Sequence, residues 1–339
     1  MRFLIAGLGS IGRRHLHNLV ALGETDIILY RTHQSSLPDD ELSGFQVETD
    51  LQSALARRPE AVVISNPTSL HLEVAISAAR AGCHLLLEKP ISHSMQGVEQ
   101  LVAALQRGGG QALVGFQFRF HPGLQTISGL LRQGVIGRVL SVRAHWGEYL
   151  PAWHPWEDYR QGYSARRELG GGVILTLSHP LDYLRWLMGE VSALWAFAGS
   201  INDLALDVED TAEIGMRFAD GSLGSVHLDY NQRPPVHTLQ IIGAQGTIRW
   251  DNADGAVHLY SAAPSTEASA PIQDSDWQTF PVSSDFERNH LFLAEMRHFL
   301  QVARGEVAPV CTLQDGIQAL HLALAAQESS REGKLVQFE

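Results

Sequence analysis

The chain has 339 residues, 45% hydrophobic and 18% charged, enough for one very large domain or, closer to ordinary domain sizes, two. Its formal net charge of -12, with no lysine- or arginine-rich run, argues against a nucleic-acid partner. No apolar stretch reaches membrane-spanning length, the only cysteines (Cys83 and Cys311) give neither a disulfide framework nor a zinc motif and suit a reducing cytoplasm, and the 16 histidines form no His-Glu-x-x-His signature, so no metal is expected.

Met1 to Gly7 leads straight into a strand pattern, which leaves no room for a signal peptide and predicts a cytoplasmic protein. The apolar run Phe3–Ala6 meets Gly7-Leu-Gly9-Ser10-Ile11-Gly12 and then the helically periodic Arg13–Val20. This is the strand–GxGxxG–helix arrangement of a dinucleotide site. Gly7 allows the tight turn, Gly9 lets the backbone approach a pyrophosphate, and Gly12 lets the helix sit close to the strand. The helix N-terminus, through Ser10 and Ile11, then faces the anion. A glycine-rich turn with no ligand is the competing reading. The second strand, Asp26–Tyr30, ends without the carboxylate that usually binds the ribose hydroxyls. Arg31 and Thr32 follow and predict binding of a 2′-phosphate, hence NADP ahead of NAD; the alternative is a surface arginine at a strand end.

Ala61–Ser65 reads as the third strand. The loop Asn66-Pro67 to His71 suits a segment crossing the cofactor, with Ser69 capping a helix that runs to about Ala81. His84–Leu87 is the fourth strand and ends at Glu88-Lys89-Pro90. Ligands bind beyond the carboxyl ends of parallel strands, so Lys89 is placed at the mouth of a crevice, with its backbone held by Pro90. The bland alternative is an idle surface lysine. Ser94 is expected to cap a helix to Arg107, stopped by Gly108–Gly110, and Gln111–Phe116 is the next strand. Strands alternating with helices predict a Rossmann-type, doubly wound parallel sheet over residues 1–118.

From residue 119 to 339 the pattern predicts an α+β domain for substrate binding and oligomerisation. Pro122–Arg132 reads as a helix and Val139–Tyr149 as a strand, followed by an irregular segment, Leu150–Tyr163, of the kind that is commonly functional. Gly170-Gly-Gly172 introduces one apolar helix carrying Ser178, His179 and Asp182 and stopping at Gly189. Strands follow at Ala193–Ile201, Thr211–Phe218, Leu223–Tyr230 and Thr238–Ile242, giving a large open, mainly antiparallel sheet. Residues 262 to 285 read as a polar surface excursion, and amphipathic helices at about 287–303 and 314–330 finish the chain. An open sheet face implies a homodimer or homotetramer.

These residues together resemble the glucose–fructose oxidoreductase / inositol dehydrogenase / rhizopine-catabolism (Gfo/Idh/MocA) oxidoreductases over essentially the full length. The resemblance rests on Gly7-Leu-Gly9-Ser-Ile-Gly12, Glu88-Lys89-Pro90, Arg119-Phe-His-Pro122, Gly170-Gly-Gly172 with His179 and Asp182, and Gly243-Ala-Gln-Gly246. It implies hydride transfer between a nicotinamide and a hydroxyl-bearing carbon of a sugar, cyclitol or sugar derivative. Lys89 and His179 match the family residues at the proton-transfer centre, against the alternative of a structural histidine on an apolar helix. The sequence departs from the family where an aspartate usually precedes this histidine by three or four residues; Leu175 and Thr176 stand there, and Asp182 is placed one turn beyond, within reach of the ring. Asn66, Pro67, His71, Glu88 and Lys89 join the cofactor set. By position, Gln117, Arg119, Trp153, His154, Tyr163, Arg166, Thr176 and Asp182 are the substrate-side candidates, with loop packing as the alternative for each. Two other readings compete with a dehydrogenase. One is a non-catalytic nucleotide- and sugar-sensing regulator of the same fold. The other is an enzyme that uses its nucleotide transiently, without net consumption.

Overall fold

The computed structural model describes residues 1–32, 40–261 and 276–338. They form two units. The first comprises Met1–Gln117, Gln161–Gly171 and Glu287–His321; the second comprises Phe118–Arg160, Gly172–Phe286 and Leu322–Glu339.

The first unit is built on β1 (Phe3–Ala6), β2 (Ile27–Tyr30), β3 (Gln46–Glu48), β4 (Ala61–Ile64), β5 (His84–Glu88) and β6 (Ala112–Gly115). They pair in parallel in the order β3-β2-β1-β4-β5-β6. Continuous apolar runs make this possible: Phe3 to Ala6, Ala61 to Ile64 and Leu85 to Leu87 are all fully buried, as strands covered on both faces must be. The chain builds outward from β1 in both directions, so the loops after β1 and β4 diverge at the switch of strand order, where such sheets bind ligands. Helices α1 (Ser10–Ala21), α2 (Leu51–Ala56), α3 (His71–Arg80) and α4 (Val98–Gly108) connect the strands. The later helix α8 (Arg288–Ala303) packs against α1 and β6.

Two helix starts differ from the sequence expectation. Ser69 caps nothing: Thr68–Leu70 form a 3-10 turn, and α3 begins at His71 with no side-chain cap. Ser94 likewise lies in a run of turns, its N–H bonding Ser92 Oγ at 3.3 Å, and α4 starts at Val98 after a left-handed Gly97. In both places a local turn competes successfully with helix initiation. β3 and α2 are too short and too polar to show a period, although Asp50 caps α2 by accepting from Ser53 N–H at 2.7 Å.

The second unit carries a mixed sheet of β7 (Val139–Gly147), β8 (Val191–Gly199), β9 (Thr211–Phe218), β10 (Leu223–Asp229), β11 (Val236–Gly243), β12 (Gly246–Asp251), β13 (Val257–Ser261), β14 (Gln278–Phe280) and β15 (Val336–Gln337). Their order is β14-β13-β12-β11-β7-β10-β9-β8-β15, antiparallel throughout except for β7 beside β10. Alternation selects the faces: Ala212, Ile214, Met216 and Phe218 of β9 point inward, while Glu213 and Arg217 point out. The helix α5 (Pro122–Arg132) packs on β13.

The helix expected from Gly172 to Met188 is two helices, α6 (Val173–Thr176) and α7 (His179–Met188), broken at Leu177–Ser178. Pro180 explains the break. It has no N–H to give the carbonyl of Thr176, and its ring would clash there, but it is accepted in the first turn of a new helix. Within the expected excursion 262 to 285, residues 262–275 lie outside the described residues, and Gln278–Phe280 form the edge strand β14. Cys83 and Cys311 are buried, and burial pushes the Cys83 thiol up to about 11. Among the described residues no helix is long and apolar enough to cross a membrane.

Candidate active site

The glycine turn joins β1 to α1. Gly7 has φ +93°, a left-handed conformation, and a Cβ there would overlap the backbone of Ser65 and Asn66. A Cβ on Gly12 would overlap Gly7 O and come within 2.7 Å of Ser65 Oγ. Gly9 differs: a Cβ there meets nothing within 4 Å, so the turn leaves open space in front of it. No side chain caps the first turn of α1, where Ser10 is exposed and Ile11 half-buried. A backbone packed from below and clear above, ending in free N–H groups, fits a dinucleotide pyrophosphate.

The loops after β4 and β5 are tied together by one imidazole. His71 Nδ1 lies 2.9 Å from Pro90 O and Nε2 lies 2.9 Å from Asn66 O. Burial holds its pKa below the ordinary value, so the neutral ring donates to one carbonyl at a time. His71, a cofactor candidate in the sequence, thus frames the crevice with both nitrogens turned to backbone. At the end of β2, Arg31 is buried and its N–H bonds Glu48 O at 3.1 Å, while Thr32 is exposed.

Glu88 is turned into the core. Its Oε1 meets His15 Nε2 at 2.7 Å and its Oε2 accepts from Lys89 N–H at 3.2 Å. Burial alone would raise its pKa, but the His15 hydrogen bond and the charges of His15 and Lys89 reverse this and hold it below the usual range. Glu295 of α8 joins this group with no surface exposed, and burial followed by the Glu88 charge keeps its carboxyl well above the usual range. His15 and Glu295 escaped the sequence reading, since each is one polar residue in an ordinary amphipathic helix. Lys89 follows directly, half-buried, with a cis peptide to Pro90. Gln117 is buried beyond β6. The segment 161–171 belongs to this unit, its turn Arg167–Leu169 packing on the turn Thr68–Leu70. There Tyr163 is 37% exposed, yet its hydroxyl is desolvated enough to push the phenol up, with the Glu88 charge adding to this. Arg166 pairs with Glu168, Nε to Oε1 at 2.7 Å.

In the second unit, His179 is the first residue of α7 and is buried among aromatic rings. Phe118 meets it edge-on at 5.0 Å, Trp146 stacks at 5.3 Å, and His237 stacks in turn on Trp146 at 4.3 Å. Phe118, Trp146 and His237 were not in the sequence-predicted set; they come from separate segments that only the fold assembles. Asp182 receives Arg119 at both carboxylate oxygens: Nε to Oδ2 at 3.0 Å and Nη2 to Oδ1 at 2.7 Å. Thr176 and Leu175 are buried on α6. Trp153 meets Tyr230 edge-on at 5.5 Å, and His154 lies against Trp156 at 5.1 Å.

A doubly wound sheet with this turn defines a dinucleotide-binding α/β protein. A family model described as "Oxidoreductase family, NAD-binding Rossmann fold" matches residues 1–116, and one described as "Oxidoreductase family, C-terminal alpha/beta domain" matches residues 129–338. The chain belongs to the Gfo/Idh/MocA family of nicotinamide-dependent oxidoreductases. It is 26% identical to a myo-inositol 2-dehydrogenase of Thermotoga maritima, covering 100% of this chain and 99% of that one. Over 216 residues (61% of this chain, 56% of the relative) it is 31% identical to a 2,7-anhydro-N-acetylneuraminate hydratase of Mediterraneibacter gnavus. Among solved structures, a levoglucosan dehydrogenase in complex with NADH has a TM-score of 0.85 at 21% identity, covering 100% of this chain and 99% of that one. The WlbA dehydrogenase of Bordetella pertussis, with NADH and UDP-GlcNAcA, has a TM-score of 0.82 at 23% identity and the same coverage.

Proposed function

We propose that the chain is a dehydrogenase or reductase of CH–OH groups, acting on a sugar, cyclitol or sugar derivative. The observation that carries this reading is the position of Lys89. It places a half-buried amine one residue beyond the carboxyl end of β5, in the same sheet whose β1 end carries a turn shaped for a dinucleotide. The nicotinamide, when bound, accepts or donates the hydride. The accompanying hydroxyl proton is left to the protein: Lys89 takes or gives it at Nζ, and His179 holds the hydroxyl or exchanges that proton at its ring.

The turn Gly7–Gly12 and the loop Asn66–Pro67 hold the dinucleotide, with His71 and Glu88 fixing the backbone on either side of Lys89. Arg31 and Thr32 take a 2′-phosphate, which makes NADP the preferred cofactor; the NADH of the solved neighbours makes NAD the competing one. Gln117, Tyr163, Arg166, Trp153, His154 and Thr176 supply substrate contacts, while Arg119 and Asp182 hold α7, and with it His179, in place. The outer face of the nine-stranded sheet, where Phe197 is 69% exposed, is assigned to a homodimer or homotetramer contact, which sedimentation at micromolar concentration reads directly.

The hydratase relative favours one second reading, transient use of the nucleotide. Nucleotide-free protein titrated with NADPH and NADH, then given a panel of sugars and cyclitols, separates these. Steady change in nucleotide absorbance supports the dehydrogenase. Product without net nucleotide change supports the transient reading. Binding of neither nucleotide by folded protein overturns both.

A further inference from the structure

The outer face of the nine-stranded sheet carries a cluster that hydride transfer does not use. His227 of β10 stands in register with His145 on parallel β7 and with Glu213 on antiparallel β9. Strand alternation puts Asp229, two residues on, on the same face. One ligand atom from each of His145, His227 and Asp229 falls within 4.8 Å of the others. Asp229 Oδ2 lies 3.0 Å from His227 Nε2 and 3.7 Å from His145 Nε2. Neighbouring ligand atoms of a tetrahedral zinc with bonds of about 2.0–2.2 Å are about 3.3–3.6 Å apart, so the two observed separations bracket what a metal would impose.

Three features separate this from a plain ion-pair relay. Glu213 Oε1 is 2.6 Å from His227 Nδ1, which fixes a proton on Nδ1, while Nε2 donates to Asp229 Oδ2 at 3.0 Å, so that a metal bound there takes the place of the Nε2 proton. That is the carboxylate–histidine arrangement found behind metal ligands. His145 Nε2 is sealed from solvent and, at 3.7 Å from Asp229 Oδ2, makes no hydrogen bond of ordinary length among the described residues, a state that a metal bond would relieve. Asp229 is also pre-set: its Oδ1 accepts from Asn231 N–H at 2.7 Å and Gln232 N–H at 2.6 Å, leaving Oδ2 to face the two imidazoles. Beside them lies a depression of about 620 Å³ lined in part by His145, Glu213 and His227, with room for water or a small donor in the remaining coordination positions.

We propose that His145, His227 and Asp229 form a divalent-metal site of zinc type, with Glu213 as the positioning residue for His227. The chemistry of the donors, two imidazole nitrogens and one carboxylate oxygen, suits zinc and its borderline neighbours better than magnesium or calcium.

The test is equilibrium dialysis of the full chain, free of any histidine tag and stripped with chelator, against Zn²⁺ at pH 7.5. One zinc per chain is expected, with stoichiometric binding lost in both His145→Ala and His227→Ala and weakened about 10–100-fold in Glu213→Gln. Thermal melts establish that each variant is folded. Co²⁺ on the unmutated chain gives an answer that needs no variant: an intense tetrahedral d–d spectrum supports the site, and the weak spectrum of hydrated Co²⁺ overturns it. Absence of stoichiometric zinc, or undiminished binding in either folded histidine variant, also overturns it and leaves an ordinary Glu213–His227–Asp229 hydrogen-bonded relay.

Discussion

Arg119 and Asp182 form a two-point ion pair with 6% and 2% of their surfaces exposed, joining the turn after β6 to the first turn of α7. Each partner is costly to leave alone at that depth. Asp182→Ala or Arg119→Met is therefore expected to lower stability by about 3–5 kcal/mol in urea unfolding, because a buried charge loses its partner. The double variant Arg119→Met/Asp182→Leu should recover a large part of that loss. A double variant as unstable as the sum of the singles would refute the coupling.

The glycines of the first turn should separate by function. Gly12→Ala forces α1 away from β1 and is expected to cost about 1–3 kcal/mol, together with nucleotide binding. Gly9 has φ -70°, which alanine adopts freely, and its Cβ would meet no protein atom. Gly9→Ala should change stability by less than about 0.5 kcal/mol while nucleotide affinity falls about tenfold. Denaturation and fluorescence titration on the same preparations check both, and normal nucleotide affinity in folded Gly9→Ala would place the pyrophosphate elsewhere.

The parallel sheet was legible because Phe3–Ala6, Ala61–Ile64 and Leu85–Leu87 are apolar runs punctuated by glycine and proline, and β9 was legible because Thr211–Phe218 alternates. What stayed hidden depends on tertiary partners. No local pattern in Asp182 says that Arg119, 63 residues away, will occupy it. Nor does α8 announce that Glu295 will join Glu88 and His15. Gln46–Glu48 is polar enough to read as loop, and becomes a strand only because Tyr30 and its neighbours offer it an open edge. The break before His179 is set by Pro180, but the apolar run on either side of it has the pattern of one continuous helix.

Glu295 should impose a pH signature on stability. Its native carboxyl is held well above 4.5 by burial and by the Glu88 charge, so its contribution is fully present below about pH 4.5 and is lost as pH rises through the native value. Glu88, held low, acts in the opposite sense and loses its contribution as pH falls. Glu295→Gln removes only the first effect. The variant is expected to match the wild type near pH 4 and to become the more stable of the two as pH rises toward 8, in urea unfolding at each pH. A difference that does not change with pH would mean that Glu295 is ionised in the native protein.

Lys89 carries the chemical reading and gives its sharpest test. Lys89→Met keeps most of the side-chain volume and removes the amine that would move the hydroxyl proton, so kcat should fall by about 10²–10⁴-fold. The dinucleotide turn is built from Gly7 to Gly12, and the Glu88–His15 bond uses the Glu88 side chain, so the nucleotide dissociation constant should stay within about threefold of wild type, well under 1.4 kcal/mol. His179→Asn should also lower kcat. Its burial among Phe118 and Trp146 makes some loss of stability unavoidable, so a melt must accompany that measurement. Full turnover in folded Lys89→Met would remove Lys89 from the reaction, and loss of nucleotide binding would leave it the cofactor-binding role alone.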